Sequence, residues 1–259
     1  MPLTRSLFAI FSSGFALAIM FRQLIIVLSN TLNIIHLSMI FNWILYIFLQ
    51  LVNQWSNLEK RPITNFTYVN STSTIFYSIA LCMVFYTSVD RFLAINNQIY
   101  GYKYIRFGSY GLLVVLLGSR LIRTVLIYIQ NSGSSLFPAS NYIQLATILV
   151  IFFLKLCFDA ASFGTLKRVL TQKTKGGIGN LKVTQVRALM QLRMTLVVEL
   201  SLTIISWVVA TLEAYSYTGD NLAFMDWLLI SWCIAAYIDQ KPLLQRLFDV
   251  NYTSGISHQ

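Results

Sequence analysis

The chain has 259 residues, of which 56% are hydrophobic and only 11% charged, with a formal net charge of +10 and a mean hydropathy of +0.65. That balance excludes an ordinary soluble domain and a disordered chain alike. It leaves a helical membrane protein, in which excess positive charge reports orientation rather than nucleic-acid binding.

Seven apolar stretches follow one another at 6–28, 33–53, 73–90, 107–128, 142–163, 190–211 and 223–238. A bilayer core of about 30 Å takes about 20 helical residues, and lipid offers no partner to an unpaired backbone group. The expected fold is therefore all-α, a polytopic bundle of seven transmembrane helices in one domain, with 239–259 as a short cytoplasmic tail. The first stretch can also be read as a signal peptide, with Arg5 as basic head and Ala16-Leu17-Ala18 as cleavage site. Its apolar run continues to Leu28, longer than a signal core requires. In the tail, Pro242-Leu243-Leu244-Gln245-Arg246-Leu247-Phe248 suits a brief amphipathic helix on the inner surface.

Orientation follows from the basic residues. With the N-terminus outside, thirteen of the nineteen Lys and Arg fall on the cytoplasmic side and three outside, the remaining three lying within spans. The C-terminus is then inside. The basic loop from Gly164 to Leu189 suits contact with anionic headgroups or docking of a cytoplasmic partner, with Gly176-Gly177-Ile178-Gly179 as its tip. Two glycosylation sequons, at Asn65 and Asn70, occupy the loop between spans two and three, which this topology places outside.

No catalytic constellation is present. His36 and His258 are the only histidines, too few for a histidine-rich zinc centre, and phosphate-cradling loops and nucleophile elbows are missing. Cys82, Cys157 and Cys233 all lie within spans, as small apolar residues. Neither an enzyme nor a cofactor nor a metal is expected.

At the cytoplasmic end of span three the chain reads Ser88-Val89-Asp90-Arg91-Phe92-Leu93-Ala94-Ile95. This resembles the Asp-Arg-Tyr motif of rhodopsin-like G-protein-coupled receptors, with Phe92 as the aromatic. The resemblance implies that Asp90 holds Arg91 at rest, and that Asp90, Arg91 and Phe92 serve coupling to a heterotrimeric G protein. The rest of the pattern departs from that family. Span six has Ser206-Trp207-Val208-Val209 where the family bends at a proline, and span seven has Ala236-Tyr237-Ile238-Asp239 in place of Asn-Pro-x-x-Tyr. Arg187 and Arg193 stand where an acidic latch residue is expected at the base of span six.

Ionisable residues at bilayer depth are costly and normally paired. Arg120 and Arg123 lie in span four, Lys155 and Asp159 in span five at i, i+4, and Glu199 near the middle of span six. Depth alone lets Glu199 neutralise Lys155 or Arg120. These groups form either an interhelical network that specifies packing or, with Trp207, the lining of a ligand cavity or ion pathway. The leading expectation is a receptor-like protein of the plasma membrane that senses a small ligand. The alternatives are a small transporter or channel running through the intramembrane charges, and a non-catalytic scaffold. All four prolines fall outside the spans, which speaks against broken-helix transport.

Overall fold

The computed structural model describes residues 2–29, 33–58, 66–96, 102–130, 137–175, 183–216 and 223–248. They form seven helices in chain order: α1 Pro2–Ser29, α2 Ile34–Leu58, α3 Phe66–Ile95, α4 Tyr102–Gln130, α5 Phe137–Lys175, α6 Val183–Ser216 and α7 Ala223–Phe248. Six carry stretches long and apolar enough to cross a bilayer: Ile10–Ser29, Ile34–Val52, Thr72–Ile95, Tyr104–Leu126, Ala146–Arg168 and Val186–Val208. These mark the chain as a multi-pass membrane protein. α7 does not meet that measure, because its apolar run is bounded by Asp226 on one side and Asp239-Gln240-Lys241 on the other.

Local rules explain several helix ends. The Asn33 side chain accepts from the Ile35 and His36 amides at 3.0 and 3.4 Å, capping α2. Pro2 and Pro138 stand in the first turns of α1 and α5, where a missing N–H costs nothing. Along the helices, hydroxyls such as Ser29, Ser38, Thr124 and Ser201 donate to the carbonyl four residues back. Their own helix thus satisfies them without water.

Two boundaries differ from the sequence expectation. The basic loop from Gly164 to Leu189 is largely helical, because α5 runs on to Lys175 and α6 begins at Val183; its glycine tip lies outside the described residues. The amphipathic segment after span seven is not a separate helix. α7 continues unbroken through Pro242 to Phe248.

Each helix packs against its chain neighbours, and α7 returns to α1, which closes the ring. Across the ring, α3 also touches α5 and α7. It is the central element: 67% of its span is buried, against 18% for α4. The main core joins α1, α2, α3, α4, α5 and α7, with Trp43, Phe85, Phe152 and Trp227 among its largest buried side chains. Polar contacts stitch α2 to α7 inside it. Trp43 Nε1 donates to Ser231 Oγ at 2.7 Å, and Trp227 Nε1 to the Tyr46 hydroxyl at 3.3 Å. Such bonds average about 0.6 kcal/mol each between membrane helices, where packing rather than water exclusion drives association. A second, smaller core lies at one end of α3, formed by Ile95, Leu166, Leu189, Leu192, Leu196 and Leu244 with Phe163 against it.

Candidate functional site

Four charged side chains meet between the main core and the smaller one. Arg91 of α3 donates from Nη1 to Glu199 Oε2 and from Nη2 to Glu199 Oε1, both at 2.8 Å. Its Nη1 also lies 3.5 Å from Asp159 Oδ1 on α5. Lys155, one turn before Asp159, pairs with it and reaches Ser88 Oγ at 3.1 Å and Glu199 Oε2 at 3.3 Å. All four charged side chains are fully buried. Cys233 of α7 is fully buried within electrostatic reach of the same charges.

Helical spacing builds this cluster. Ser88 and Arg91 stand three residues apart on α3, so the hydroxyl and the guanidinium share a face. Lys155 and Asp159 are four apart on α5, and Glu199 is the α6 contribution. The planar guanidinium fork matches a carboxylate bidentately. Two positive and two negative groups leave the cluster formally neutral, the condition for keeping charges at bilayer depth. Aromatic contacts fix its flank: Phe158 of α5 meets Phe85 and Phe92 of α3 edge-on, at 5.8 and 5.3 Å. One turn beyond Arg91, Ile95 enters the smaller core and covers the charges from that end.

Asp90 does not hold Arg91. Its carboxylate accepts from the Tyr237 hydroxyl at 2.6 Å and lies 3.4 Å from Lys241 Nζ. Lys241, one turn after Tyr237, also donates to the tyrosine oxygen at 2.7 Å. Adjacent helical residues point about 100° apart, so Asp90 turns toward α7 while Arg91 turns toward α5 and α6. Nor does Arg91 face outward at the membrane edge: its side chain is fully buried, and α5 and α7 pack on α3. Beside the clasp on Asp90, Gln23 of α1 donates to both oxygens of Asp239 at 3.3 Å, with Arg22 3.7 Å from the same carboxylate.

Arg120 belongs elsewhere. Its Nε donates to Ser78 Oγ at 3.2 Å and its guanidinium lies 5.5 Å from the Tyr77 ring centre. Ser78 precedes Ser88 by ten residues, about 15 Å along α3. Arg120 and Lys155 are therefore not at one depth, and Glu199 serves Arg91 and Lys155 rather than Arg120. Arg123 lies on α4, with its side chain outside those described. Trp207 is 39% exposed on α6, about two turns past Glu199. Asn65 lies outside the described residues, and Asn70 falls in the first turns of α3.

Sequence reasoning did not pair Arg91 with Glu199, nor Asp90 with Tyr237 and Lys241. The i, i+4 spacing of Tyr237 and Lys241 was the available signal for the second set, since it places both on one face of α7. Scanned against models of known protein families the chain matches none, and a search of curated proteins finds no similar one.

Proposed function

We propose that this is a receptor-like membrane protein in which the Arg91–Glu199 pair latches α6 to the central helix α3. The bidentate, fully buried contact carries the reading. It joins the arginine of the Asp-Arg-Phe motif to the helix that would move to admit a cytoplasmic partner. An acidic residue absent from the base of span six is supplied further along the same helix. In this reading the N-terminus is external, as the distribution of basic residues favours. A small ligand acts from the outer face at the plasma membrane. Its binding weakens the latch, the smaller leucine core opens, and Arg91 becomes available to a heterotrimeric G protein.

The test compares nucleotide exchange for wild type, Arg91→Ala and Glu199→Gln at matched surface expression. The expected result is raised basal exchange with Glu199→Gln and none with Arg91→Ala. If no G protein responds and flux assays show an ion movement that Lys155→Met abolishes, the transport reading replaces this one. If neither exchange nor flux depends on these residues, the cluster is structural and the protein a scaffold.

A further inference from the structure

One buried side chain of α7 has no role in the latch as described. Gln240 is 3% exposed, and neither its amide nitrogen nor its amide oxygen has a hydrogen-bond partner among the described residues. Arg91 Nε is in the same condition, although both Nη atoms are engaged. A buried amide with both ends idle is destabilising in the state that contains it. An apolar residue of similar size would serve packing better.

The helix register brings the two together. Asp90 is held by Tyr237 and Lys241 at once, so residues 237–241 of α7 stand level with residue 90 of α3. On α7, Cys233, Gln240 and Leu244 share one face, at spacings of seven and four. Cys233 is buried within electrostatic reach of the charged cluster, while Leu244 belongs to the same small core as Ile95, one turn past Arg91. Gln240 thus lies between these two residues on the face of α7 turned toward the level of Arg91.

We propose that Gln240 is the second seat of the Arg91 guanidinium: when Glu199 lets go, Arg91 turns to α7 and donates to the Gln240 amide oxygen. This deepens the receptor reading and rests on it for its biological meaning, but the exchange of partners is a property of the helices alone. The idle amide is then a receptor for a state other than the resting one. A positioning residue of this kind biases the released state without contributing to the latched one.

Cys233 supplies a readout that needs no G protein. It is fully buried beside the charges, so release should expose it to a thiol reagent. The measurement uses the full chain with Cys82→Ala and Cys157→Ser, leaving Cys233 as the single thiol, and follows its labelling by a small maleimide. Glu199→Gln should speed labelling. Adding Gln240→Leu should slow it again by about tenfold, the worth of one hydrogen bond to a charged group, whereas Gln240→Glu should keep it fast. In the otherwise unaltered chain, Gln240→Leu should unfold no earlier than its parent, since it breaks no bond of the resting state.

Fast labelling that ignores Gln240→Leu overturns the proposal, as does an earlier unfolding transition for that variant. Dependence of labelling on Gln240 without any nucleotide exchange keeps the switch and removes the receptor reading. Exchange that needs Arg91 but is indifferent to Gln240 does the reverse.

Discussion

Asp90 and Arg91 are neighbours in the chain and belong to two different regions. Arg91 lies in a closed cluster with Lys155, Asp159 and Glu199, each fully buried. Asp90 belongs to a clasp at the rim, where its side chain is 30% exposed and that of Lys241 22%. Both regions tie α3 to later helices by charge, yet their energetics are unlike. In the cluster no water can replace a lost partner, so each charge depends on the others. In the clasp, solvent or headgroups share the load and screen the pair. The same chemistry is therefore obligatory in one place and incremental in the other.

Substitutions should separate the two regions by size. Glu199→Ala strands Arg91 and Lys155 beside a single carboxylate. It should cost about 3–5 kcal/mol, the penalty of a broken buried pair, read as a loss of folded protein in a detergent unfolding series. An effect within about 1 kcal/mol would mean that the cluster behaves like a surface pair, and the contrast would collapse. Tyr237→Phe keeps the ring against His36 and Tyr86 but removes the donor to Asp90. A destabilisation of about 1 kcal/mol is expected in the same series. At the outermost contact, Arg22→Ala removes a partner of Asp239 with side chains 66% and 40% exposed. It should shift stability by no more than about 0.5 kcal/mol, and raising the salt concentration should erase the shift.

Much of the fold was legible because bilayer thickness imposes a length on every apolar run. All seven expected stretches coincide with helices, whose ends range from one residue inside the expectation, at the start of α2, to twelve residues beyond it, at the end of α5. Residues 73–90 sit inside α3 and 190–211 inside α6. Counting along an apolar run also found Lys155, Asp159 and Glu199, since a charge inside such a run is conspicuous. What the count yields is depth on one helix. It does not give the direction in which a side chain points, nor the tilt of one helix across another. Arg120 was grouped with Glu199 on that ground, yet it faces Ser78 and Tyr77 of α3, well along the helix from Ser88. Arg91 was placed at the boundary because the expected span ends at Asp90, the charge beside it. The Leu166, Leu189, Leu192, Leu196 and Leu244 that cover it come from three other helices, and no local pattern in α3 announces them. Long-range partners, rather than elements, were what one-dimensional reading lacked.

The formal neutrality of the Arg91 cluster has an electrical consequence. A single charge moved fully across the membrane exchanges about 2.3 kcal/mol with the field for every 100 mV. Two cations and two anions held within bonding distance of one another offer a transmembrane potential almost no net charge to pull on. The closed cluster thus takes little energy from the field. If the guanidinium parts from its carboxylates as proposed, the potential acts on the charge displaced, so it is that exchange of partners, and not the closed cluster, that would depend on voltage.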